Sequence, residues 1–248
     1  MLSRQHRQTN ASGGFVRRVD SATQARAEQM LERLAKGDSS AADIVMTQAP
    51  TWLGRTQRTP RADQLLATAI NLHDREARKA ALEAELALDG VPKDASGLDL
   101  LTQAAGSQKQ RQWALWTLGA LGNRGIDPVH VAKIIGAHLD DPDANTRAAA
   151  VNGLALLATD ETVPMLLDRF RNDPSPIVEE RAACALAESG MYTKAQRIEA
   201  AGTLISWLDD SLVSTQQKTW VLQALNDISG QNLGSDPASW QSWYAGAH

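Results

Sequence analysis

The 248-residue sequence contains one cysteine, two phenylalanines and two tyrosines. A single thiol, Cys184, excludes an internal disulfide framework and a cysteine-based zinc site. Set among Ala182, Ala183 and Ala185, it reads as a small core or flank residue. Val, Ile and Thr nowhere cluster in alternating runs, so the period of a β-strand is missing as well. No stretch approaches the roughly 18 consecutive apolar residues of a membrane span. The glycine-rich phosphate loop, the serine nucleophile elbow and the HExxH zinc pair are all absent. The histidines are scattered, and His130 and His138, which share one expected helix, stand about 12 Å apart along its axis. Metal pairs on a helix need one-turn spacing, so these histidines read as structural or surface groups. The expectation is a non-enzyme without cofactor or metal.

The N-terminus has no acid before Asp20, and Arg4, Arg7, Arg17 and Arg18 flank no apolar segment. It is therefore unlike a signal peptide, which points to the cytoplasm, although removal of a signal or anchor would leave the same polar start. The net charge of −4 hides an asymmetry: residues 1–61 hold ten Lys and Arg against five acids. The remainder is acidic and a poor partner for phosphate backbones, so nucleic acid is not the expected ligand. The basic first quarter reads as folding back on the acidic remainder or as plain solvated charge.

What the chain does have is Ala and Leu, both good helix formers, which makes it all-α. One phrase recurs. It runs Arg111-x-x-Ala114-x-x-Thr117-Leu118, Arg147-x-x-Ala150-x-x-Gly153-Leu154, Glu179-x-x-Ala182-x-x-Ala185-Leu186 and Lys218-x-x-Val221-x-x-Ala224-Leu225. Successive copies lie 36, 32 and 39 positions apart, the period of stacked helix pairs. A weaker copy, Arg78-x-x-Ala81-x-x-Ala84, has Glu85 where Leu belongs.

Four segments follow. Residues 1–20, with Gly13-Gly14 and no apolar periodicity, read as a disordered tail. Residues 21–60 hold a helix over 21–35 capped by Ser21, a short helix over 40–48, and a linker in which Trp52 and Leu53 anchor the chain. Residues 61–230 form the repeat array, with turns such as Asp127-Pro128, Asp141-Pro142 and Asp173-Pro174 that start helices through an acidic cap. Residues 231–248 carry a last short helix.

On these residues the chain resembles the HEAT repeats, especially the short bacterial kind also found in phycobilin lyase subunits. The clearest outer-helix unit is Val163-Pro164-x-Leu166-Leu167-x-x-Phe170-x-x-Asp173, preceded by Asp141-Pro142-Asp143-x-x-x-Arg147-x-x-Ala150. The resemblance implies a right-handed α-α superhelix of about five helix pairs. It also implies a ladder in which a turn Asp and the Arg six positions later pair across neighbouring units. Asp141 and Arg147 keep that pattern, whereas Asp173 and Glu179 break its chemistry, so the ladder is expected to stop there. The ending, with Trp240 and Trp243 on one face of a helix, is similar to a tail on many bacterial HEAT-like proteins and reads as an end cap, with a Trp-lined ligand site as the alternative. The His-Glu dipeptides of HEAT-like diiron hydroxylases are missing, and the acidic array lacks the basic surface of the HEAT-like DNA glycosylases.

At 100° per residue, phrase positions 4, 7, 8 and 11 point to the core, so positions 2, 6 and 9 point the opposite way, along the concave face. They give a candidate protein-binding strip of Gln112, Trp116, Asn152, Glu180, Gln223 and Asn226, interspersed with Ala148, Ala155, Ala187, Gly119, Cys184 and Thr219. Trp116 is either a binding anchor or packed on a neighbouring element. Trp113, Trp207 and Trp220 read as packing residues. The expected function is a scaffold that binds another protein or peptide. A bilin-lyase-like accessory subunit for a cofactor-modifying enzyme and a structural element of a larger assembly are the alternatives.

Overall fold

The computed structural model describes residues 19–247. Among the described residues are thirteen α-helices and no strand. The chain divides inside α7 (Pro128–Gly136), between Val131 and Ala132, into two compact units. The expected tail lies, up to residue 18, outside the described residues.

The N-terminal unit holds α1 (Ser21–Ala35), α2 (Ser39–Trp52), α3 (Pro60–Ile70), α4 (Arg75–Asp89), α5 (Ala95–Gly106) and α6 (Arg111–Asn123). Helices α1 and α2 pack together, α3 and α4 do the same, and the pairs stack α1 on α3 and α2 on α4. Helix α6 continues the layer on α4 and carries α5 with it. The layering thus includes α1 and α2, N-terminal to the phrase-bearing helices.

The C-terminal unit repeats this plan. Helices α8 (Ala144–Leu157), α10 (Pro176–Glu188) and α12 (Thr215–Ser229) lie side by side, and α9 (Thr162–Asn172) and α11 (Lys194–Leu208) back them. Helix α13 (Pro237–Ala245) packs on α11. Its Trp240 is fully buried and donates its indole N–H to Gly234 O at 2.9 Å. Tyr244 closes on Gly202, where a Cβ would lie 2.8 Å from the phenolic oxygen. Tyr244 thus sits in the space that the bare Gly202 leaves on α11.

The phrase is the stacking code. Ala114, Leu118, Ala150, Leu154, Ala182, Leu186, Val221 and Leu225 are all fully or almost fully buried. Small residues let neighbouring helices approach, and each buried Leu contributes roughly 2 kcal/mol by removing apolar surface from water. Position 1 has a different task. Arg78, Arg111 and Arg147 each turn back onto the carbonyl six residues earlier, of Leu72, Ala105 and Asp141 respectively. Those carbonyls lie in the last turn of a helix (Ala105 in α5) or in the turn before the next one, where no helical N–H follows to bond them, so a five-donor guanidinium suits them.

The ladder has one complete rung in the C-terminal unit. Arg147 holds Asp173 of the next repeat with two bonds, Nε to Oδ2 at 2.9 Å and Nη2 to Oδ1 at 2.8 Å. At Glu179 the pattern changes chemistry but is still joined. Gln217, from α12, donates its amide to Glu179 Oε1 at 2.7 Å and to the Arg171 carbonyl at 3.0 Å. A neutral amide thus rebuilds the link that the acidic residue interrupts.

Three further differences from the sequence reading have simple causes. Helix α2 continues through Pro50 to Trp52: the proline costs one N–H, that facing the carbonyl four residues earlier, and the continued turn buries Trp52 almost completely. Leu53, expected as a second anchor, is exposed. Asp20, and not Ser21, caps α1: its carboxylate accepts from the Ala22 and Thr23 amides and pairs with Arg55 at 2.6 Å. A carboxylate at a helix N-terminus is favoured by the helix dipole, and Arg55 fixes it there.

Candidate functional site

In the layer α8–α10–α12, helix α10 is flanked by α8 and α12 and backed by α9. That leaves one narrow line of each helix uncovered. On α10 the line runs Glu180, Cys184, Glu188, and on α12 it runs Thr219, Gln223, Asp227; Cys184 is half-buried and the other five are exposed. The step of four residues keeps successive members on one face. The expected position 9 does not belong to it. Gly119, Ala155 and Ala187 are buried, and Asn226 is half-buried with a buried side-chain oxygen that accepts no hydrogen bond. Flanking helices take up that direction, so the open line bends from position 6 to position 10.

Four of the six candidate residues fall in this unit. Glu180 and Gln223 stand exposed on the adjacent helices α10 and α12, Asn152 is half-buried on α8, and Asn226 leans into the packing. Position 2 on α8, Ala148, is buried. Gln112 and Trp116 lie on α6 of the N-terminal unit, where Gln112 is exposed and Trp116 half-buried. Its neighbour Trp113 donates Nε1–H to Asp89 Oδ2 at 3.0 Å, which makes it a packing residue with a polar tether.

Sequence reasoning missed Glu188 and Asp227. The signal was available: each lies one turn beyond a residue already assigned to the open line. Together with Glu180 they give the α10–α12 face a negative field. Burial raises the Asp227 carboxyl above the usual carboxylate range, and the nearby Glu188 adds to the rise. The Cys184 thiol is raised too, first by burial and then by Glu188. A thiol so placed is held in its neutral, weakly nucleophilic form.

Between the two helices the face dips. Ala183, Cys184, Ala187, Trp220, Gln223, Ala224 and Asp227 line a shallow open dip with space for only about 10 Å³, roughly one water molecule. That is far below the ~300–1,000 Å³ typical of small-molecule sites. Trp220, expected as packing, is half-buried and forms one wall. Trp207 is also half-buried, edge-on to Phe170 at 5.4 Å with the Arg171 guanidinium 5.6 Å from its ring centre.

The N-terminal unit has its own polar feature, one part of which, Glu83 with Lys93, borders an open depression of about 60 Å³ with Pro50, Leu53, Leu86, Ala87 and Val91. Glu85, the residue that breaks the phrase in α4, is buried and ion-paired with Arg58. Arg58 also reaches Asp89 at 2.9 Å and Asp63 at 3.2 Å. Glu83, equally buried, is held by Lys93 at 2.7 Å and Arg124 at 2.8 Å. Each buried carboxylate therefore has a cation, the condition under which burial of charge is tolerated. These groups knit α4 to its neighbours.

Among the described residues no group of three or more His, Cys, Asp or Glu side chains is placed to hold a metal ion. His130 is exposed on α7, and His138 is half-buried just past its end. No described helix is long and apolar enough to cross a membrane.

A family model described as HEAT repeats matches residues 98–187 and, overlapping them, 131–226. No curated protein matches the chain. Among solved structures, the crystal structure of an engineered protein matches with a TM-score of 0.40 at 16% identity. The match covers 83% of this chain and 97% of that one.

Proposed function

Because the chain belongs to the HEAT repeats, matched over 98–226, we propose that it is a non-enzymatic scaffold that binds another protein along the exposed line of its phrase-bearing helices. One observation carries this reading: adjacent helices α10 and α12 leave Glu180, Thr219, Gln223 and Asp227 exposed along one line. The exposed side chains of this line offer hydrogen-bonding groups to a segment of a partner, and their geometry offers no reacting constellation. Repeat layers present extended surfaces of this kind, each repeat adding one helix width to the contact.

The test is affinity capture followed by identification of what is retained. Glu180→Arg with Gln223→Arg puts long charged side chains on the open line and should reduce recovery of the specific partner at least tenfold, about 1.4 kcal/mol. Thr203→Arg, on the exposed side of α11, should leave recovery unchanged. Equal recovery by the face variant and the unmodified chain would refute the assignment of this face.

A further inference from the structure

We propose that Phe15, in the segment that precedes the described residues, docks in the depression between the end of α2 and α4, so that the chain covers this site itself. The assignment is independent of the docking face on α10 and α12.

The depression has an apolar base and an exposed apolar rim. Leu86, Ala87 and Val91 form the buried base, and Pro50 and Leu53, both exposed, stand above them. Apolar surface left facing water in this way favours whatever apolar group can cover it. Its volume of about 60 Å³ is well below the ~300–1,000 Å³ of small-molecule sites. A whole benzene ring occupies an apolar cavity of about 150 Å³. The depression therefore suits the edge of one aromatic ring, with the rest of the ring lying over Pro50 and Leu53.

The occupant follows from where the described chain begins. The Asp20 N–H donates to the Arg55 carbonyl at 2.9 Å, and the Asp20 carboxylate pairs with the Arg55 guanidinium at 2.6 Å. Arg55 is two residues past Leu53, at most about 7 Å along the chain. Phe15 stands five residues before Asp20, a reach of up to about 17 Å. The chain is thus fastened beside the depression with an aromatic residue within reach of it. The other large apolar residues of the segment are Met1, Leu2 and Val16. Met1 and Leu2 would have to close a loop more than three times as long, at a greater cost in entropy.

Lys93 distinguishes Phe15 from Val16. Its ammonium, held to Glu83 at 2.7 Å, stands at the edge of the depression. A ring face attracts a cation, and an isopropyl group does not. A ring brought by another molecule would also lose translational freedom that the tethered ring has already lost.

Trypsin reads the contact in the full chain. Its target bonds after Arg17 and Arg18 lie between the proposed anchor at Phe15 and the tether at Asp20, whereas the bond after Arg4 lies outside that loop. Phe15→Ala should speed cleavage after Arg17 and Arg18 at least tenfold and leave cleavage after Arg4 unchanged. Leu53→Asp should do the same from the other side of the contact, and Phe15→Tyr should keep the protection. With labelled phenylalanine rings, nuclear Overhauser contacts should join Phe15 to the methyl groups of Leu53 and Val91. Equal cleavage of Phe15→Ala and the unmodified chain overturns the proposal, as does the absence of those ring–methyl contacts. Contacts found only between two differently labelled chains would give the depression to a second copy and overturn the assignment to the chain's own segment.

Discussion

Replacing Asp173 by alanine is expected to destabilise the C-terminal unit by about 3–5 kcal/mol, the range for removing one member of a buried ion pair. The Asp173 side chain has no exposed surface and that of Arg147 only 8%. Two short bonds join them, and Asp173 also accepts the Ser175 amide at 2.9 Å at the start of α10. In the variant Arg147 keeps the Asp141 carbonyl at 2.9 Å, but its charge stays buried beside a methyl group. The penalty is therefore that of an uncompensated guanidinium, to which the freed Ser175 amide adds about 1 kcal/mol at most. Urea unfolding followed by tryptophan fluorescence reads the loss, because Trp207 and Trp240 lie in the same unit. The companion variant, Arg147→Met with Asp173→Leu, removes both charges and should recover most of the stability. A single substitution costing less than about 1 kcal/mol, the range of an exposed pair, would refute the reasoning. So would a double variant whose cost equals the sum of the two singles.

Glu179→Gln should raise the urea midpoint at pH 7. Burial holds the Glu179 carboxyl above its ordinary range, first among its causes, so its contribution to stability is present below the unfolded carboxylate pKa and lost as pH rises through the folded one. The advantage of the variant should vanish near pH 4, and an advantage that persists there would remove the carboxyl as its cause. Asp20 should titrate oppositely. The Arg55 guanidinium, ahead of the Thr23 hydroxyl, lowers it to about 2, so its stabilising effect is kept above the unfolded value and lost as pH falls toward 2. Carbon-13 NMR of the carboxyl should show that midpoint, and Arg55→Ala should move it upward; an unmoved midpoint would sink the pairing. Trp116→Ala should weaken capture of the partner by about 2 kcal/mol if this half-buried indole is an anchor, and unchanged capture would remove it from the binding surface.

The helices were legible because burial and local chemistry coincide in the phrase. Ala114, Leu118, Ala150 and Leu154 are apolar at helical spacing and are also core, so periodicity alone finds them. The exceptions were illegible for a common reason: their partners come from distant sequence through helix stacking. Glu85 looks like a defect until Arg58, 27 positions earlier in a segment without periodicity, is brought against it. Glu179 looks like a missing rung until Gln217, 38 positions later, supplies the amide. A substituted repeat position signals a compensating contact one layer away, and single-repeat patterning has no access to that layer.

The open face was legible in part, and the error is instructive. Treating a helix as a cylinder with one buried side makes the outward arc symmetric and admits position 9. In a stacked layer an inner helix such as α10 has neighbours on both flanks, and its uncovered arc narrows to a line one side chain wide. The chemistry of that line reports its covering. On α8, Ala148, Ala155 and Leu156 are buried and apolar, while on α10 and α12 the residues Glu180, Glu188, Thr219 and Asp227 are exposed and polar. Leaving a carboxylate without a partner in a covered position costs several kcal/mol, so carboxylates at positions 2 and 10 mark where no element of the layer can cover the helix. By that criterion α10 and α12, and not α8, carry the face proposed above for docking.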